Sequence, residues 1–143
     1  MAGRPPSRRL RPSAVPTAVL LDAQALTAAA QGQVRIRAEL TLAERLGVAV
    51  HVSSVTLAEV LRGHRRDARV PAVLSAVDKD AVTPELGQSA GELLGRSERA
   101  DTIDAIVAVT ADALGESVRL LTGDPGGLRA LTSHMPAVTV VPV

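Results

Sequence analysis

The chain has 143 residues, a formal net charge of +1 and 46% hydrophobic residues, the size and balance of one globular domain with a real core. It has no cysteine, which excludes disulfides and thiolate metal sites and fits a reducing compartment. It also has no Phe, Tyr or Trp, which excludes stacking of nucleobases on aromatic rings; contact with nucleic acid then rests on arginine, backbone amides or metal-bridged phosphates.

Residues 1–16 are rich in Arg and Pro and without periodicity, which predicts a disordered basic tail ahead of a single domain over 17–143. The twin arginine Arg8–Arg9 and the apolar segment behind it loosely imitate an export signal. Pro12, Pro16 and Asp22 interrupt that pattern, and no apolar run reaches the length of a membrane span, so a cytoplasmic protein with no membrane association is expected.

Thr17–Leu21 reads as a short buried strand ending at Asp22. Ala23–Ala30 is helical, and Val34–Leu46 is an amphipathic helix stopped by Gly47. Val48–Val52 is a second strand, after which Ser53 or Ser54 caps a helix over Val55–Gly63 that carries Glu59. A helix over Val70–Ala76, a brief strand over Ala81–Pro84 and a helix over Glu85–Leu94 ending at Gly95 follow. Asp101 caps the helix from Thr102 to Gly115; Val118–Leu121 is a fourth strand, Leu128–Leu131 a helical turn and Ala137–Val141 a last strand. Strands alternating with helices predict an α/β fold, a mainly parallel sheet covered on both faces.

In such sheets the working crevice lies beyond the carboxyl ends of the strands. Asp22 follows the first strand, Asp124 lies just past the fourth, Glu59 sits early on the helix after the second, and Asp101 and Asp104 share one helix face. Carboxylates gathered from these segments repel one another and raise each other's pKa, and a hard divalent cation, Mg²⁺ or Mn²⁺, resolves the conflict. Taken singly, Asp22 and Asp101 also suit helix caps, Asp124 a turn and Glu59 a solvated helix face. The joint pattern is what points to a metal site able to activate water against a phosphodiester.

The series VLLDAQAL, SSVTLAEVLRG, ADTIDAIVAVTA and LLTGDPGGLRAL resembles the PIN-domain family, and more narrowly the VapC-type toxins of bacterial toxin–antitoxin pairs. The resemblance covers residues 17–143. It implies a three-layer α/β/α fold, Mg²⁺- or Mn²⁺-dependent endoribonuclease activity, a homodimer and inhibition by a small antitoxin. On this resemblance Asp22, Glu59, Asp104 and Asp124 are the catalytic acids. Asp22, Asp104 and Asp124 hold metal, Glu59 binds metal or orients the attacking water, and Asp101 is an accessory acid. Thr122 is the polar residue of the T-x-D turn, and Ser54 is a second polar support. Two positions depart from the family pattern: Gln24, where a smaller polar residue or Gly is usual, and Gly126–Gly127, where many members carry a further acid.

Arg62, Arg65, Arg66 and Arg69 form the densest basic segment within the fold; Arg62, Arg65 and Arg66 are candidates for contact with RNA or a protein partner, and a solvated helix end is the plain alternative. His51, in an apolar strand, is expected in the core, and His64 and His134 on the surface. A G-x-S-x-G elbow, a P-loop and a D-x-D phosphatase motif are absent. The alternative to a ribonuclease toxin is a catalytically weak or inactive PIN-fold module that binds RNA or a protein; a structure-specific DNA nuclease of the same superfold is a third reading.

Overall fold

A computed structural model describes residues 15–99 and 101–143. Five strands, β1 (Ala18–Leu21), β2 (Val50–Ser53), β3 (Asp78–Asp80), β4 (Val118–Thr122) and β5 (Val138–Pro142), form one sheet in the order β3-β2-β1-β4-β5. Every neighbouring pair is parallel. The expected tail over 1–16 lies outside the described residues except for Val15 and Pro16.

The helices are α1 (Ala23–Ala30), α2 (Val34–Leu46), α3 (Ser54–Val60), α4 (Val70–Leu74), α5 (Pro84–Ser97), α6 (Thr102–Ala113) and α7 (Pro125–Leu131), with a 3₁₀ turn over Arg65–Asp67. They cover the sheet in two layers, and the period-two alternation of the strands divides the core between them. Ala18, Leu20, Val118 and Leu120 pack under α5, α6 and α7, with Ala105, Ala108 and Leu128. Val19, Leu21, Val52 and Leu121 face the other way, against Leu26, Ile36, Val70 and Leu74. Seven leucines and isoleucines of these strands and helices, among them Leu20, Leu26, Ile36 and Leu120, have no exposed surface. Each contributes about 1.5–3 kcal/mol by leaving water, so a core without aromatics is sufficient.

α1 and α2 form over the expected residues, and Gly47 ends α2 at φ 67°, the left-handed conformation that favours glycine. Three expectations are corrected. The third strand is Asp78–Asp80 rather than Ala81–Pro84: backbone pairing sets His51 opposite Asp78 and Ser53 opposite Asp80, while Thr83 caps α5 and Pro84 opens it. α5 runs through Gly95 to Ser97, since a glycine that meets no left-handed requirement does not stop a helix held by Ala90 and Leu93 in the core. α7 begins at Pro125, directly after Asp124, so Gly126 and Gly127 lie in its first turn. Among the described residues no helix is long and apolar enough to cross a membrane.

The chain runs β1-β2-β3 outward from one side of β1 and then returns to lay β4 and β5 on the other. The order therefore reverses between β1 and β4, and a crevice opens at their carboxyl ends.

Candidate functional site

Asp22 follows β1 at this switch point, and β4 delivers Thr122, Gly123 and Asp124 beside it. Asp22 is only 8% exposed. It is the N-cap of α1: its Oδ1 accepts the backbone N–H of Ala25 at 2.7 Å. Capping and site membership are thus compatible, because one oxygen serves the helix. Burial raises the Asp22 carboxyl above its ordinary value, and hydrogen bonds from the Thr122 hydroxyl and the amides of Ala25, Gly123 and Gln24 hold part of that rise back.

Thr122 is wholly buried and its Oγ1 accepts the Asp124 backbone N–H at 2.8 Å. One hydroxyl therefore fixes the turn that carries Asp124 while supporting Asp22. Asp124 stands at the N-terminus of α7, and its side chain makes no capping bond. Asp101 caps α6 through Oδ1, which accepts the Asp104 N–H at 2.9 Å, and this places Asp104 in the first turn. α3 packs against both α1 and α6 and brings Glu59 to the same edge.

The electrostatics register the convergence. The Asp104 carboxyl is pushed up to about 6, first by burial and then by the charges of Asp101, Asp124, Asp22 and Glu59. Glu59 is raised by burial and by Asp22 and Asp101, and Arg62 opposes the rise. A Cβ built on Gly127 would lie 3.0 Å from Asp124 Oδ2 and 3.5 Å from Asp104 Oδ2. The two carboxylates thus face one spot on α7, where a side chain would push Asp124 aside by a few tenths of an ångström. Gly127, which the sequence marks as a missing acid, makes room for the acids that are present.

All these donors are carboxylate oxygens, the set a hard divalent cation takes. Among the described residues, no three acidic or histidine side chains stand close enough as placed to enclose an ion. The arrangement is an open, mutually repelling cluster with space between its members, and in chemistry it fits an added cation.

Ser54 is spent elsewhere: its hydroxyl donates to the Asp80 carbonyl at 2.9 Å, and Ser53 is the cap of α3. His51 is not a plain core residue. Its Nδ1 lies 2.8 Å from Asp80 Oδ2 and its Nε2 3.9 Å from Asp78 Oδ2, so it clasps the short edge strand β3. The side chain of Arg62 folds back, its Nε donating to the Glu59 carbonyl at 3.1 Å, and Arg65 and Arg66 fall in the 3₁₀ turn. Gln24 packs over Gly123 so closely that a Cβ there would collide with the Gln24 amide and Cβ. That dependence leaves no trace in the sequence, because α1 and the end of β4 are about a hundred residues apart.

Residues 19–131 match the family model described as PIN domain. The chain belongs to the PIN-domain family. PIN domains are generally nucleases that use divalent metals, which accords with the all-oxygen cluster. This PIN chain also resembles solved structures. A chain of VapBC2 from Rickettsia felis, solved bound to a DNA fragment from its promoter, superposes with a TM-score of 0.69 at 17% identity, covering 87% of this chain and 98% of that one. A chain of a toxin–antitoxin complex from Klebsiella pneumoniae gives a TM-score of 0.66 at 19% identity, over 85% of this chain and 96% of the other. At these identities the likeness speaks for the fold, an α/β/α PIN sandwich. No curated protein matches the chain.

Proposed function

We propose that this PIN domain is a VapC-type toxin: a Mg²⁺- or Mn²⁺-dependent endoribonuclease that acts in the cytoplasm as a homodimer and is restrained by a small antitoxin. The observation that carries the reading is the meeting of Asp22, Glu59, Asp104 and Asp124 at the β1/β4 switch point, with Asp104 raised to about 6. That both structural relatives come from toxin–antitoxin assemblies supports the antitoxin partner.

A bound divalent cation supplies charge neutralisation and Lewis-acid polarisation of a phosphodiester. Asp22, Asp104 and Asp124 would hold it, with Asp101 as the accessory acid. Glu59 would bind the cation or orient the attacking water. Thr122 keeps Asp22 and Asp124 in place, and Arg62, Arg65 and Arg66 are the candidate contacts for RNA phosphates or a protein partner.

Calorimetric titration of Mn²⁺ into the wild type and Asp22→Asn, run beside cleavage of single-stranded RNA, tests the reading. Binding and cutting by the wild type, both lost in the variant, are expected. Undiminished cleavage by Asp22→Asn would refute the site. If the wild type neither binds Mn²⁺ nor cuts, the inactive binding module is the reading that stands.

A further inference from the structure

A cavity adjoins the acids and shares Glu59 with them. A cleft of about 550 Å³ lies between α1 and the segment from α3 to α4. Its volume falls in the range of sites that hold small organic groups. Its floor is apolar, with Ala28, Val60 and Val70. One side is the outer face of α1, where Gln24 and Gln31 stand; the other carries Glu59 and Asp67. Gln33 Nε2 donates to Gln31 Oε1 at 3.1 Å, which ties two amides into one polar rim. Asp67 Oδ2 accepts the His64 backbone N–H at 3.2 Å, which fixes the carboxylate in orientation. Gln24 joins the cleft to the acidic site, since it lines the one and packs on Gly123 beside Asp124.

A nucleobase has two apolar faces and a polar edge, and this cleft offers an apolar floor and polar walls. In a chain without aromatic side chains a base cannot be held by ring stacking, so hydrogen bonds to its edge must supply the selectivity. We propose that the cleft is a base pocket for RNA, in which Asp67 accepts from the exocyclic amino group of a nucleotide next to the scissile phosphate. This rests on the reading above that the acids act on RNA. Asp67 is the carboxylate of the cleft that lies outside the metal-binding set, so its charge is available to a base.

The chemistry selects among bases. Cytosine presents an N4 amino donor to a carboxylate, as in the pairing of Asp or Glu with cytosine. Uracil presents a carbonyl oxygen at the same place, which an anionic acceptor repels. The pocket therefore accepts cytosine and rejects uracil. Asp67→Asn keeps a carbonyl oxygen for the His64 amide and adds an N–H donor for uracil, so it relaxes the choice with the turn retained.

Fluorescence anisotropy with labelled octacytidylate and octauridylate, in EDTA so that neither is cut, reads the pocket directly. Both are weakly stacked pyrimidine strands, so the comparison isolates the amino and carbonyl groups. The expected result is that the wild type binds octacytidylate about tenfold more tightly and that Asp67→Asn closes most of that gap. Equal affinities, or a gap that Asp67→Asn leaves intact, would overturn the proposal. So would binding of neither strand, which would hand the acidic cleft to a cationic side chain of a protein partner. The same strands incubated with Mn²⁺ test the nuclease separately: discriminating binding with no cleavage retains the pocket and removes the nuclease reading, whereas cleavage with no discrimination does the reverse.

Discussion

Replacing Asp104 with asparagine should make this protein more stable at neutral pH while abolishing its activity. Asp104 is partly buried among Asp101, Asp124, Asp22 and Glu59, and its carboxyl is raised from 3.8 to about 6. Between about pH 4 and 6 the native state holds a proton that the unfolded chain has released. Stability therefore falls as pH rises through that window, and the cost is present in full above it. At about 1.4 kcal/mol per pKa unit the whole shift corresponds to about 3 kcal/mol. Solvent reaches the carboxylate and screens its neighbours, and the first turn of α6 loses a favourable charge in the variant, so about 1 kcal/mol is the expected net gain. For a chain of this size that is about 4 °C in melting temperature. Thermal unfolding of wild type and Asp104→Asn in metal-free buffer at pH 7.5 and at pH 4.5 measures it. The variant should melt higher at pH 7.5, and the two should converge at pH 4.5. Adding Mn²⁺ at pH 7.5 should raise the wild type and leave the variant nearly unmoved. A variant that melts at or below the wild type at pH 7.5, with no convergence in acid, would show that the acids do not crowd one another.

Other outcomes follow from single contacts. Asp22→Asn should retain its fold, because the amide oxygen can still accept the Ala25 N–H; circular dichroism should be unchanged while Mn²⁺ titration goes flat. Gly123→Ala should destabilise the protein by about 1–3 kcal/mol in urea unfolding, since the new methyl meets both Oε1 and the anchored Cβ of Gln24. Adding Gln24→Ala should recover only the part of that loss due to the amide, because alanine keeps the Cβ, and a double-mutant cycle with no coupling would refute the contact. Glu39→Gln should cost about 1–2 kcal/mol, because Arg119 of β4 holds Glu39 of α2 through two donors at 2.6 and 3.2 Å; an unchanged urea midpoint would count against it.

Much was legible in the chain itself. The alternation of apolar strands with helices specified an α/β sheet, and the acids at strand ends and helix starts marked Asp22, Glu59, Asp104 and Asp124 as candidates, because hydrophobic period and carboxylate placement are local properties. The caps at Ser53 and Asp101 follow equally local rules, since each side chain satisfies an amide two or three residues on, whereas Thr83, read as part of a strand, caps α5. What the sequence left undetermined depends on groups far apart in the chain. The edge strand forms over Asp78–Asp80, which looks nothing like a strand, because β2 offers free backbone partners and His51 pairs with the two aspartates. Gly127 and Gly123 look like flexible turn residues in sequence. In the fold Gly123 is required to admit Gln24, and Gly127 leaves space before Asp104 and Asp124. The raised carboxyl of Asp104 and the cleft that joins Gln31 to Asp67 belong to no segment. They arise only when the reversal of strand order between β1 and β4 brings separate ends of the chain to one edge, and charge and shape at that edge are sums over all of them.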